Sequence, residues 1–420
     1  MTSKPQPITI SKKTAQRFLL DHHFLLPPRQ MEINEILPKI FDRLGCIQFD
    51  TINVVGRNAD LVLQSRVKGY TSAILEKLLY EDRTLIDGWD KMASIYPTSD
   101  WPYFNRRRQA MRHHTRNRSE DAAKAAPEIL EAVKQNGPLS SIDIKDDRKT
   151  DWWWAPTSIS RAAMEALFHT GDLGIDHRVN TRRVFDLIER LVPADILTAP
   201  DPHQSDEDYR AWHYHRRLGS MGIGSIKSGE YWYGIHDGYK VPERKKGLNT
   251  LISDGRITSI TIEGITGQNF YIRTEDYQRI ENIPDGDLKT YRAAFIAPLD
   301  NLIWNRSLIN DLFNFSYTWE VYKPQKDRQY GYYVLPVLYQ DRFIARVDMK
   351  LDSKTNILHL IDWWWEEGIE RTPEMESAIS EAFADFLRYL QGDKINLVRE
   401  NFTAKRQASL FEALIGEANG

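Results

Sequence analysis

The chain has 420 residues, with 56 Lys+Arg against 59 Asp+Glu and a formal net charge of −3. Hydrophobic residues make up 41% and aromatic residues 11%, which excludes a disordered chain. The lack of any run near about eighteen apolar residues excludes a membrane-spanning helix. One cysteine, Cys46, excludes an intramolecular disulfide framework, an all-cysteine zinc site and a cysteine-ligated iron–sulfur cluster. The N-terminal stretch lacks the apolar core of a signal peptide, so a cytoplasmic protein is expected. The length predicts about two to four domains.

Ser11 to Leu20 reads as a helix with Ser11 as its N-cap, ended by Pro27 and Pro28. Met31 to Leu44 carries Ile33, Ile36, Leu37, Ile40, Phe41 and Leu44 at helical spacing, and Gly45 closes it. Cys46 to Ile52 reads as a strand. Leu61 to Val67 and Ser72 to Leu79 read as short helices, and Leu85 to Tyr96 as two strands. A helix is expected from near Pro127 to Asn136, then a turn at Leu139 to Asp143. A second helix follows Pro156-Thr157-Ser158 and ends at Gly171, and two strands flank Asn180. Helix, turn, helix and ribbon is the order of a winged helix. The order recurs. Tyr209 to Leu218 and Val241 to Ser253 are helical, with Gly219, Gly222 and Gly224 between them, and a hairpin follows around Gly264 and Gly267.

Beyond about residue 290 the pattern turns to strands, at Tyr317 to Tyr322, Arg328 to Tyr339, Phe343 to Leu351 and Asn356 to Trp365. A helix from Met375 to Gln391 closes the series. The predicted fold class is α+β, with tandem winged helices followed by a small β-barrel and a C-terminal helix. The predicted domains are 1–124 (winged-helix-like), 125–200 and 201–288 (winged helices) and 289–420 (β-barrel).

The charge is unevenly distributed. Residues 1–118 carry a net +7 and the remainder a net −10, and no acid occurs between Asp100 and Glu120. Within that gap stand Arg106, Arg107, Arg108, Arg112, Arg116 and Arg118. Such a run is either a solvated helix face or a surface for nucleic-acid phosphates.

The most informative segment is Ile47-Gln48-Phe49-Asp50-Thr51-Ile52-Asn53. On a strand, Gln48 and Asp50 project to the same side. On a helix they would diverge by about 200°. A carboxylate and an amide side by side can stabilise positive charge and hold a water. The competing reading is the wet face of a half-buried strand. Zincin, P-loop and Gly-x-Ser-x-Gly motifs are absent, and Gly219 to Gly224 reads as a turn. His213 and His215 read as surface or core residues rather than metal ligands. The triplets Trp152-Trp153-Trp154 and Trp363-Trp364-Trp365 read as packing residues, with base stacking as the alternative.

Gln48-Phe49-Asp50-Thr51-Ile52-Asn53, Leu61-Val62-Leu63, Ser65-Arg66, the first tryptophan triplet and Arg182 to Leu187 together resemble the bacterial winged-helix DNA glycosylases of the AlkZ/YcaQ type. So do Pro298-Leu299-Asp300 with Trp304 and Arg306, and Arg328 to Pro336 with Arg346, Asp348 and Lys350. The Gln-x-Asp pattern is similar to the YcaQ-like branch. Asn301 stands where relatives tend to carry proline and Asn305 where they tend to carry aspartate. The segment near Lys91 lacks a histidine found in relatives. The resemblance implies a monofunctional glycosylase that removes N7-alkylated purines and unhooks interstrand crosslinks, with Gln48 and Asp50 as the catalytic pair. It implies no metal or cofactor, and a monomer acting at the nucleoid on double-stranded DNA containing alkylated or crosslinked guanine. Candidate phosphate contacts are Arg57, Arg66, Arg106, Arg107 and Arg108. Gln340, Asp341 and Arg342 form a hairpin tip that would probe the minor groove. The rival is a non-enzymatic winged-helix DNA-binding protein or transcription regulator. A nuclease would need a carboxylate cluster for two metals, which the sequence does not display.

Overall fold

The computed structural model describes residues 7–26, 31–144, 146, 148–153, 155–238 and 240–398. The helix-breaking role given to Pro27 and Pro28, and the placement of Trp154, lie outside the described residues. The chain forms two compact units. One comprises Met1–Ser72, Tyr214–Tyr233 and Gly238–Gly420, and the other Ala73–His213 and Gly234–Asp237.

In the first unit the helix Lys12–His22 starts where Ser11 accepts a hydrogen bond from the Thr14 amide (3.0 Å). The helix Ile33–Leu44 ends at Gly45, whose φ of +73° suits a residue without Cβ. The expected strand from Cys46 to Ile52 shrinks to Ile47–Gln48. Asp50 is the reason: its carboxylate accepts the Ile52 amide at 2.8 Å, an Asx turn that competes with strand pairing. A short helix follows at Asn58–Gln64, and the next, Ser72–Tyr80, leads into the second unit.

The strand Ile8–Ile10 pairs in parallel with Ile257–Ile262, which pairs antiparallel with Ile265–Arg273. Phe18, Leu19 and Leu20 of the first helix pack with Ile260, Phe270 and Ile272 of that hairpin and with Leu308, Ile309 and Leu312 of the helix Arg306–Phe313. Each such fully buried side chain contributes roughly 1.5–3 kcal/mol.

The C-terminal sheet has five strands, in the order Ala293–Phe295, Val334–Tyr339, Arg342–Asp352, Ile357–Trp365 and Lys394–Leu397. The last strand runs parallel to its neighbour after the helix Pro373–Leu390 crosses over. Phe383 and Phe386 of that helix lie 4.9 and 5.2 Å from the Phe295 ring. Among the described residues the sheet is open at both edges, so the expected barrel is not closed. The strand expected at Tyr317 to Tyr322 is also absent. Residues 315–320 are irregular, and Glu320 accounts for this. Its carboxylate gathers Lys323 Nζ and the amides of Gln329 and Tyr330 into a stapled loop. These partners hold it down to about 2, against the cost of burial.

In the second unit Leu85–Trp89 and Ala93–Pro97 form an antiparallel hairpin. The basic run lies on the helix Asn105–Arg118. The next helix begins at Glu120 rather than near Pro127, because Ser119 caps it through the Ala122 amide, and Pro127 is carried inside it. Ile159–Thr170 and the hairpin Leu173–Val179 with Arg182–Leu187 complete a helix–helix–hairpin order, and Leu139 bridges to Phe185. The helix Asp206–Met221, which begins in the second unit, and Val241–Ser253 of the first unit repeat the order ahead of the first unit's hairpin at 257–273. Gly219 sits within the first of them instead of interrupting it.

Candidate active site

The Ile47–Gln48 strand is fixed by a clamp from far along the chain. Asn58 Nδ2 donates to the Gln48 carbonyl (2.7 Å), and Asn58 Oδ1 accepts the Leu299 amide (3.0 Å). Asn301 Nδ2 donates to the Cys46 carbonyl (2.9 Å). Asp300, fully buried, caps the Leu302 amide and receives both terminal nitrogens of Arg66 at 2.7 and 2.8 Å. Arg66 also donates to the carbonyls of His23 and Val62 and to the Ser65 hydroxyl. Its side chain has 0% exposure, so the phosphate contact expected of Arg66 is corrected to a structural hub. Arg57 is likewise withdrawn. It is buried and donates to Asp60, which also accepts the Tyr70 hydroxyl (2.7 Å). Gly56 lies against this group, since a Cβ there would stand 2.0 Å from the Tyr389 hydroxyl.

Gln48 is buried and Asp50 half-buried. Because the strand ends at Gln48, period-two geometry does not place Asp50; the Asx turn does. Burial raises the Asp50 carboxyl above its ordinary value, and the Ile52 amide opposes the shift. Among the described residues no cation pairs with Asp50. Its charge is felt by the hydroxyls of Tyr322 and Tyr333, which it pushes up together with burial. Tyr322 is 79% exposed, and Tyr332 is also exposed. Trp319 meets Tyr322 and Tyr333 edge-on at 5.7 and 5.9 Å. The result is an uncompensated carboxylate with an aromatic rim. Sequence reasoning found Gln48 and Asp50 but missed the tyrosines, since an irregular aromatic loop has no periodicity to read.

Behind that loop, Gly331 abuts Asp348, where a Cβ would meet a carboxylate oxygen at 2.2 Å. Arg346 is buried between the Phe315 and Tyr330 rings (4.3 and 4.5 Å) and is ion-paired to Glu366. Asp348 faces Asp362 on the neighbouring strand. Burial lifts its carboxyl to about 6, with repulsion from Asp362, against amide hydrogen bonds from Tyr332 and Met349 and the nearby Arg328. A raised value means that the protonated form fits the fold. The stabilisation is complete below the ordinary value near 3.8 and is lost as pH rises through about 6. Asp348→Asn should therefore stabilise the protein by about 2–3 kcal/mol at pH 8 and leave it unchanged at pH 4. Thermal melts at the two pH values check this, and equal shifts at both would reject charge burial as the cause.

The remaining sequence candidates are corrected. Arg106 is paired with Asp201 (2.9 Å) and Asp206 (2.7 Å). Arg107 is buried. Arg108 donates to the Trp101 carbonyl and lies 3.9 Å over its ring. Arg106 and Arg108 are engaged inside the fold and Arg107 is withdrawn from the outer surface, so none of the three offers an exposed charge to a duplex backbone; of the six arginines Arg112, Arg116 and Arg118 are the exposed ones. The hairpin tip is tethered rather than projecting. Asp341 accepts from buried Arg17 at 2.8 Å, and Gln340 donates to the Leu288 carbonyl at 3.0 Å, leaving Arg342 exposed. His213 is a core residue held by Asp90 at 2.9 Å. Trp152 and Trp363 pack in cores as expected. Asn305 caps the helix Arg306–Phe313 through the Leu308 amide, a task that aspartate performs equally well. No helix among the described residues is long and apolar enough to cross a membrane.

The family model for AlkZ-like DNA glycosylases matches residues 41–389. That span includes the Gln48–Asp50 segment, the clamp at Leu299 to Asn301 and the aromatic loop. The solved structure of the Streptomyces sahachiroi DNA glycosylase AlkZ is similar at a TM-score of 0.60 and 14% sequence identity, over 93% of this chain and 100% of that chain. The structural likeness supports the mixed α+β fold. The family match extends over most of the chain and through the candidate site, and the chain therefore belongs to the AlkZ-like DNA glycosylase family.

Proposed function

We propose that this DNA glycosylase is monofunctional and hydrolyses the N-glycosidic bond of N7-alkylated purines, including guanines joined in interstrand crosslinks, leaving abasic sites. The observation that carries this reading is Asp50, a half-buried carboxylate that accepts one amide and has no paired cation among the described residues. An anion left in that state favours whatever positive charge develops beside it. An N7-alkylated base is already cationic, so its C1′–N9 bond breaks with the electron pair leaving on the base and without a general acid. The sugar becomes an oxocarbenium ion with the Asp50 carboxylate beneath it. The Gln48 amide orients the water that attacks C1′, and the water proton passes to Asp50 and then to solvent. The exposed faces of Tyr322 and Tyr332 suit a cationic ring.

The two helix–helix–hairpin stretches support tandem winged helices at 125–200 and 201–288, after a winged-helix-like region at 1–124 and before the sheet domain at 289–420. The protein acts as a monomer on duplex DNA. A crosslinked base is tethered to the opposite strand and cannot swing freely, so the site is open rather than a closed base-flipping pocket.

The test is release of alkylguanine from a defined N7-alkylated duplex and from a mustard-crosslinked duplex, in excess chelator, followed by alkaline cleavage at the abasic sites. The active form of Asp50 is the anion. The rate therefore falls as pH drops through a carboxyl value above the ordinary range and is flat on the alkaline side. A sequence-specific footprint with no base release would replace the enzyme by a regulator.

A further inference from the structure

The second unit contains a cleft of about 500 Å³ that shares no residue with the Asp50 site. This volume lies within the range of small-molecule sites. Its walls are aromatic, with Trp89, Trp152 and Trp153 among the lining residues. His114 stacks on Trp153 at 5.3 Å and 20°. His169 is wedged edge-on against Trp89 (4.9 Å) and Trp153 (6.2 Å).

The polar groups are unevenly satisfied. Glu165 is fully engaged, accepting Trp152 Nε1 at 2.5 Å and pairing with Arg183. By contrast, His169 is 7% exposed and its Nδ1 has no hydrogen-bond partner. Arg107 is 9% exposed, and among the described residues no carboxylate pairs with it. Its guanidinium lies 5.4 Å from the Trp89 ring centre, and the hydroxyls of Tyr209 and Tyr96 are near enough to act on it. Burial pulls the Arg107 guanidinium down to about 10, which leaves it charged at neutral pH. Asp90, the acid that still attracts it, is occupied by His213. The lining guanidiniums Arg107, Arg161 and Arg183 face one lining carboxylate, Glu165, an excess of two positive charges.

A buried cation without a counter-ion is costly unless a ligand supplies the anion. Indole walls select a flat ring, and a buried unpaired guanidinium in a net positive lining selects a phosphate monoester. We propose that this cleft binds a mononucleotide, with the ring against the indoles and the phosphoryl group on Arg107. The nucleotide is either free or the 5′-phosphorylated end of a DNA strand. In both cases the recognised chemistry is the same.

Binding to the full-length protein is read by tryptophan fluorescence and calorimetry. The probes are dAMP, adenosine, inorganic phosphate, and a short single strand with and without a 5′-phosphate. A free-nucleotide site binds dAMP at least about tenfold more tightly than adenosine or phosphate alone. A strand-end site instead prefers the phosphorylated strand to its unphosphorylated twin by a similar factor. Arg107→Gln abolishes the preference, and Trp153→Leu weakens the ring-bearing probes while keeping the Arg107 floor, which guards against a folding defect in the first variant. Circular dichroism verifies both folds. The proposal is overturned if neither preference is seen, or if both variants bind like the parent. Base release at the Asp50 site is assayed separately, so failure here leaves that reading standing.

Discussion

Asp50→Asn is expected to slow base release by roughly 10²–10³-fold while DNA binding changes little. Asparagine keeps an oxygen to accept the Ile52 amide, so the turn that orients position 50 survives. What is lost is the charge alone. Asp60 is committed to Arg57 and Tyr70, and burial raises the Asp348 carboxyl to about 6, so neither of these two acids replaces it. The substitution also relieves the burial that raises the Asp50 carboxyl, so the thermal midpoint should hold or rise. Single-turnover release on an alkylated duplex, paired with a binding titration and a melt, separates these effects. A variant within about threefold of the parent rate would remove Asp50 from the chemistry.

Breaking the Arg66–Asp300 pair should have the largest effect on stability. Both groups are fully buried, and the guanidinium is saturated by carboxylate, carbonyl and hydroxyl acceptors. Arg66→Met strands the Asp300 carboxylate in the interior at a cost of about 3–5 kcal/mol. The double change Arg66→Met with Asp300→Leu recovers much of that, since neither charge is left alone. Urea unfolding followed by tryptophan fluorescence measures both. The salt dependence of DNA binding adds an independent reading. A phosphate contact would reduce the slope by about one when removed, whereas a structural hub leaves it unchanged. An altered slope in a folded variant would restore Arg66 to the DNA interface.

The local signals were read well where one interaction dominates. Ser11 caps its helix, Gly45 and Gly171 end theirs, and Asn180 turns its hairpin, because capping and positive φ are decided by a few neighbouring atoms. Gln48 and Asp50 stood out by type and spacing, yet the geometry assumed for them was wrong. A strand of two residues ends in a turn closed by Asp50 itself. The arginines show the opposite failure. Their number suggested a surface for phosphates, but whether a guanidinium faces solvent depends on acids distant in sequence, such as Asp60, Asp201 and Asp300. The aromatic loop was read as strand because its composition favours strands, and Glu320 overrode that preference with three local hydrogen bonds.

The clamp joins Arg66 to Asp300, positions separated by 234 residues. On a ribosome elongating at roughly 5–20 residues per second, the second partner emerges on the order of ten to fifty seconds after the first. Throughout that interval the Cys46 carbonyl lacks its donor on Asn301, and Asn58, which holds the Gln48 carbonyl, lacks the Leu299 amide. The nascent chain therefore carries its acidic turn without the frame that fixes it. Competence is delayed until Leu299 to Asn301 have been made, and a translation product that stops short of them cannot close the clamp.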